Sequence, residues 1–229
     1  MQKMTPNSMD LFHLGDSGIK GAIFDLDGVI VDTAKYHYRA WKRLAAELGF
    51  DFSEADNERL KGVSRMQSLD ILLECGGIRM TVSQKEEAAA RKNAWYVEYL
   101  HTLQETDMLC GASEYLELLR NSGIRTAIGS ASKNTPLILK QLGITRLFDA
   151  VVDGNSVSQT KPNPEVFLKC AAALELEPGC CVVFEDALAG IQAAKAGGMK
   201  AIAVGTAAHL SGADHYIACL GDMLEGAGN

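Results

Sequence analysis

The sequence is short of the features that would direct it to a membrane, to nucleic acid or to a metal site built from nitrogen and sulfur. None of its 229 residues fall in an apolar run approaching the ~18 positions of a membrane-spanning helix. No charged segment followed by a short apolar one resembles a secretory leader, so a cytoplasmic protein without a membrane partner is expected. Basic residues are the minority, 22 Lys and Arg against 29 Asp and Glu, for a formal net charge of −7. The two signs are interspersed, which leaves no basic stripe for nucleic acid, so any anionic ligand must be held by local donors. The six cysteines, Cys75, Cys110, Cys170, Cys180, Cys181 and Cys219, form no Cys-x-x-Cys pair and read as reduced, mostly core residues. The five histidines form no His-x-x-x-His pair on a helix face.

What is present has the composition of a folded domain: 47% hydrophobic and 22% charged residues, over a length that admits one core plus an insertion. Residues 1–18 lack sustained periodicity and are expected to be a poorly ordered lead-in. Ile19 to Phe24 read as a buried strand. From residue 33 to 104 helical patterns dominate, first around Tyr36 to Leu48, closed by Gly49, and later from Val82 through Tyr99. Trp41, Leu44, Ala45 and Leu48 share helical spacing there and read as a bundle core.

After Gly111 the texture alternates. Helices are expected at 112–122, 134–142, 164–174 and 188–196, and strands at 125–129, 150–152, 180–184 and 201–204. Gly123, Gly143 and Gly197 stand where helices should turn into strands. Such alternation argues an α/β fold, a parallel sheet with helices on both faces. The expected division is a core of residues 19–32 and 105–229 carrying an inserted helical cap of residues 33–104.

Polar clusters follow the apolar strands: Asp25 and Asp27 after the first, Ser130 after the next, Glu185 and Asp186 after a later one. In open parallel sheets ligands bind at that edge. Four carboxylates converging there need a counter-charge, and a hard divalent cation such as magnesium suits an all-oxygen set.

These residues resemble the haloacid dehalogenase superfamily, with its Rossmann-like core. Its pattern appears in order as Asp25-Leu26-Asp27-Gly28, Ser130, Lys161-Pro162 and Glu185-Asp186. The resemblance implies Asp25 as a nucleophile that becomes an aspartyl-phosphate, and Asp27 as general acid and base. It implies Mg2+ held by Asp25, the Asp27 carbonyl, Asp186 and, directly or through water, Glu185. Ser130 and Lys161 would hold the transferring phosphoryl oxygens.

Within that superfamily, residues 25–41, Leu60-Lys61-Gly62-Val63-Ser64-Arg65 and Ser130-Ala131-Ser132-Lys133-Asn134 are closely similar to the β-phosphoglucomutase family. The similarity implies interconversion of β-glucose 1-phosphate and glucose 6-phosphate by way of β-glucose 1,6-bisphosphate, and hence a second phosphate pocket made by Arg65 with Ser132, Lys133 and Asn134. It places Thr33 at the hinge, His37 and Lys92 near the aspartates, and Trp41, Lys61, Gly62, Val63 and Ser68 around the sugar, with a small sugar phosphate as partner of a monomer. Read from the residues alone, His37 could instead be a helix-face histidine, and Lys92 part of a solvated Arg91-Lys92-Asn93 face. Two departures, Ala187 after the acidic pair and Gly129 before Ser130, leave every charged participant in place. A sugar-phosphate phosphatase with a similar cap is the alternative activity; a non-catalytic receiver-like module is disfavoured by the helical insertion and by Asp27.

Overall fold

A computed structural model describes residues 18–60, 63–206 and 208–225; apart from Gly18, the expected lead-in lies outside the described residues. The chain enters as strand β1 (Gly21–Phe24), then runs through helices α1 (Ala34–Glu47), α2 (Glu54–Glu58), α3 (Arg65–Cys75) and α4 (Val82–Leu100). Alternation follows: α5 (Ala112–Asn121), β2 (Arg125–Gly129), α6 (Thr135–Gln141), β3 (Ala150–Val152), α7 (Glu165–Ala173), β4 (Cys181–Glu185), α8 (Leu188–Ala196) and β5 (Lys200–Val204). It ends in β6 (His215–Ile217) and α9 (Asp222–Glu225).

The six strands are all parallel, in the order β3-β2-β1-β4-β5-β6. The chain winds outward from β1 to β3 and then crosses back to place β4 on the other side of β1. The crevice opened by that reversal lies at the carboxyl ends of β1 and β4. Every residue of β1 and β4 is buried, as befits central strands covered on both faces. Side chains alternate between the faces: Phe24 and Phe184 pack with α5, α6 and α9, while Ile23 and Val183 pack with α7 and α8. The Phe24 and Phe184 rings stack with centroids 4.7 Å apart, and burying each contributes about 1.5–3 kcal/mol. This contact ties together the two strand ends that carry Asp25 and Glu185.

The insert has its own apolar cluster, built by Trp41, Leu44 and Ala45 of α1, Leu69, Leu72 and Leu73 of α3, and Ala88 and Ala89 of α4. Its helices α3 and α4 start on side-chain caps: Ser64 with Gln67 for α3, and Thr81 with Gln84 for α4, each bonding the other's backbone N–H. Tyr36, Ala40, Tyr96 and Leu100, at the base of α1 and α4, pack instead into the core cluster of the sheet. The linkers run side by side through a bridge between Val31 and Met108, so the insert is seated over the crevice.

Four local expectations are corrected. Glu185 is the last residue of β4 rather than the first after it, because Cys180 closes a 3-10 turn and the strand begins one residue later. The left-handed residue after α8 is Gly198 (φ 75°), whereas Gly197 caps the helix at φ −78°. β6, only three residues long, shows no run that periodicity could register. Cys170 and Cys181 are core residues, but Cys110 is exposed.

Candidate active site

Asp25 leaves β1 with its backbone N–H donating to the Phe184 carbonyl at 2.9 Å, which fixes it at the crevice floor. Behind it lies Lys161, whose Nζ donates to Asp25 Oδ1 and to Glu185 Oε1, both at 2.5 Å. The other Glu185 oxygen accepts the Ala187 N–H at 2.8 Å, so Ala187 contributes through its backbone. Lys161 and Glu185 are 3% and 1% exposed, which makes this a buried triad of one ammonium between two carboxylates. Burial alone would lower the Lys161 pKa, but the two carboxylates outweigh it and hold the ammonium well above its ordinary value. Burial, above all, raises Glu185.

Two glycines make room for this arrangement. A side chain at Gly190, on the first turn of α8, would occupy the place of the Glu185 carboxylate. At Gly28 the backbone is left-handed (φ 82°) and a Cβ would run into the Asp186 carboxylate. Gly129 has a packing reason of its own: its Cβ would lie 2.9 Å from the Phe167 ring.

Asp27, two residues on from Asp25 and also lining the cleft, is held by Thr33, whose Oγ1 donates to its Oδ1. Burial, with the Asp25 charge second, raises its pKa to about 6, the range in which a carboxyl group can both give and accept a proton near neutrality. Next to it His37 Nδ1 lies 2.9 Å from Lys92 Nζ. Burial and the neighbouring Lys92 and Arg65 charges push His37 well below its usual value, so it is neutral. Lys92 is 2% exposed, with its ammonium 4.3 Å from the centre of the Trp41 ring and 4.7 Å from that of Tyr96. Burial, helped by Arg65, lowers its pKa well below the ordinary value. A solvated lysine face is thereby ruled out.

The far end of the crevice joins core and insert. Ser130, buried after β2, accepts the Ser132 N–H at 3.0 Å, and Ser132 Oγ accepts the Asn134 N–H at 3.2 Å, which shapes the Ser130–Asn134 loop. Asn134 Nδ2 donates to Asn93 Oδ1 at 2.9 Å, and Thr160 Oγ1 to Gln67 Oε1 at 3.1 Å; both bonds cross from core to insert. Arg65, at the start of α3, has no carboxylate partner among the described residues, and burial lowers its pKa. Lys133 likewise has no carboxylate partner among them.

One cleft of about 760 Å³ brings these groups together. Asp25, Asp27 and Asp186 line its core wall with Ser130, Ala131, Ser132, Lys133 and Asn134. Thr33, His37, Trp41, Val63, Ser64, Arg65, Ser68 and Lys92 line the side nearer the insert. Lys161 and Glu185 stand behind Asp25 rather than on the surface of the cleft. Lys61 and Gly62 lie outside the described residues. Two residues escaped the sequence reading. Asn93 holds the loop at Asn134. The Tyr96 ring lies 4.0 Å from that of His37, tilted by 30°, and its fully buried hydroxyl has no hydrogen-bond partner among the described residues. Burial and the Asp27 charge hold that hydroxyl well above its ordinary pKa, so it stays protonated. Its signal was present: Tyr96 follows Lys92 by one helical turn.

Among the described residues no three Asp, Glu, His or Cys side chains converge closely enough to hold an ion alone. Glu185 is turned to Lys161. Magnesium, however, is commonly bound by one or two carboxylates with carbonyls, waters and phosphate. Asp25 and Asp186, both on the cleft, form with the Asp27 carbonyl an all-oxygen donor set that fits it.

The family model described as haloacid dehalogenase-like hydrolase matches residues 22–204. The chain is 42% identical to the β-phosphoglucomutase of Bacillus subtilis (strain 168), over 90% of this chain and 92% of that one. It superimposes on the crystal structure of β-phosphoglucomutase from Clostridium difficile with a TM-score of 0.86 and 39% identity, covering 89% and 92% of the two chains. A fructose-1-phosphate phosphatase of Escherichia coli (strain K12) is more distant, at 31% over 80% of this chain and 95% of its own.

Proposed function

The chain belongs to the haloacid dehalogenase-like hydrolase family, and from that premise we propose that it acts as a β-phosphoglucomutase, interconverting β-glucose 1-phosphate and glucose 6-phosphate. The observation that carries the reading is a single cleft with a nucleophilic carboxylate at one end and cations without carboxylate partners, Arg65 and Lys133, at the other. A phosphatase needs only the first end. An enzyme that must hold a sugar bisphosphate in either orientation needs both.

Asp25 attacks the phosphorus of the bound phosphate while Lys161, fixed between Asp25 and Glu185, offsets the charge gathering on the phosphoryl oxygens. Ser130 adds a hydroxyl on the same side. Asp27, oriented by Thr33, protonates the departing sugar oxygen and later takes the proton from the attacking sugar hydroxyl. Magnesium, held by Asp25, Asp186 and the Asp27 carbonyl with Glu185 acting through water, would supply charge neutralisation at the phosphoryl group. Arg65, with Ser132, Lys133 and Asn134, grips the second phosphate by two-point hydrogen bonding. β-Glucose 1,6-bisphosphate then turns end over end between half-reactions. Trp41, Val63 and Ser68 flank the sugar. The insert works as a cap that excludes water from the phosphorylated aspartate. Neutral His37 and buried Lys92 position the Asp27 end of the cap.

One chain supplies every group in this scheme, in keeping with a monomer, and no described helix is long and apolar enough to cross a membrane; we place the enzyme in the cytoplasm. The test is to incubate the protein with magnesium, β-glucose 1-phosphate and a trace of the 1,6-bisphosphate, and to follow glucose 6-phosphate and free phosphate separately. Glucose 6-phosphate should dominate. Free phosphate as the main product would make the protein a sugar-phosphate phosphatase.

A further inference from the structure

Cys110 lies where the insert's return linker re-enters the core, one residue after Leu109, whose N–H donates to the Ile30 carbonyl at 3.0 Å. Its thiol is exposed. Opposite it, in the turn before α9, stands Cys219, part-exposed and on the lip of the cleft that Leu109 also lines. Gly221 holds the two segments together: its N–H donates to the Cys110 carbonyl at 3.1 Å. A Cβ built on Gly221 would lie 2.9 Å from Cys110 Sγ and 3.2 Å from Cys219 Sγ, so both sulfurs crowd the same point and only a residue without a side chain leaves it open. The thiols also sense each other, the Cys219 thiol being the foremost cause that raises the Cys110 pKa. Two thiols meeting across a long stretch of sequence, at least one freely reached by solvent, have no part in the phosphoryl transfer described above.

We propose that Cys110 and Cys219 form a dithiol modification site that a small-molecule disulfide converts into an intramolecular disulfide. One cysteine thiolate attacks a sulfur of the reagent, giving a mixed disulfide and releasing one reagent thiol. The other cysteine then attacks the mixed disulfide and releases the second reagent thiol. Two electrons pass from the protein to the reagent, and the two cysteine protons end on its thiols or in solvent. The new bond staples the return linker to the segment before α9, beside the cleft mouth. Because Cys110 holds its proton more tightly than usual, the reaction is faster above neutrality.

The whole chain is incubated with glutathione disulfide at about pH 8.5, where an ordinary cysteine is about half thiolate and even a thiol that holds its proton more tightly has a reactive fraction. Free thiols are then alkylated and the protein is mapped by non-reducing peptide mass spectrometry. A cross-linked peptide containing Cys110 and Cys219, reversed by dithiothreitol, is expected, together with at least several-fold slower amide exchange across residues 108–112. Cys110→Ser and Cys219→Ser should each trap a mixed disulfide on the remaining cysteine. Gly221→Ala, which sets a methyl group between the sulfurs, should lower the cross-link yield several-fold. Stable glutathionylation of Cys110 with Cys219 still free, or linker exchange unchanged in the cross-linked protein, would overturn the proposal.

Discussion

The two ends of the cleft treat charge in opposite ways. At the sheet end the buried cation is already answered: Lys161 lies between Asp25 and Glu185, and Glu185 takes the Ala187 N–H as well. At the insert end Lys92, Arg65 and Lys133 gather with no carboxylate partner among the described residues, and burial lowers the pKa of both Lys92 and Arg65. A buried ion pair preorganises a reacting group but has little charge to spare. Cations gathered without carboxylates repel one another, at a cost that for the buried Lys92 includes desolvation, and become favourable once an anion arrives. In the proposed reaction the first end does the chemistry on a phosphate and the second holds one.

The comparison breaks most sharply at the nucleophile. Asp25→Asn keeps the side-chain shape but removes the attacking carboxylate, and turnover should fall about 10⁴-fold or more, with no acid-stable aspartyl label from radioactive bisphosphate. A labelled, active variant would place the nucleophile elsewhere.

Lys161→Met tests whether the sheet end depends on compensation. Breaking a buried pair from one side costs about 3–5 kcal/mol, here with two carboxylates left behind, and urea unfolding at pH 7 should report a loss of that size. The sign with pH follows from Glu185, whose folded pKa is raised by burial. A raised carboxyl group favours the folded state only while protonated, so the deficit is full at neutral pH and shrinks as the solution is acidified. A deficit that grows toward acid would contradict the account of a buried anion left unpaired.

Arg65→Ala removes the holding charge at the insert end. Losing a charge-assisted hydrogen bond costs about 1.5–3 kcal/mol, so conversion of glucose 1-phosphate should drop roughly 10–150-fold. Hydrolysis of a small aryl phosphate, which needs only the sheet end, should change little. An equal loss on both substrates would mean that Arg65 supports the fold rather than the second phosphate.

The same contrast decides what was legible in the sequence. β2 and β3 end where periodicity and glycine spacing place them, and α8 matches residue for residue, because alternating apolar runs leave parallel strands and their helices little latitude. Asp25, Asp27, Ser130 and Asp186 could be read because strand ends carry them. The insert end was harder. Lys92 looks like one of three solvated residues in a row, yet on α4 it falls in line with Ala88, Tyr96 and Leu100, the buried stripe, while Arg91 points away. A lysine on an apolar stripe is the signal, visible only once the helix phase is set. Asn93 had no such cue, since its role depends on a loop 41 residues away. Gly190 likewise looks like an ordinary weak point of a helix until Glu185 is seen beside it.

The finest division between the two ends runs through Asp27, which belongs to the sheet by sequence and faces the insert by position. Its pKa of about 6 comes first from burial and then from the Asp25 charge. Above that value it is a carboxylate able to take the proton of an attacking sugar hydroxyl; below it the group is protonated and can only give one. Single-turnover transfer from the phosphorylated enzyme to glucose 1-phosphate should therefore lose about tenfold per pH unit below 6, the behaviour of one essential base. Thr33→Val removes the hydroxyl that stabilises the ionised form, so the inflection should move upward. An inflection near the ordinary Asp value, or one unmoved by Thr33→Val, would show that Asp27 meets its substrate in water rather than beneath the insert.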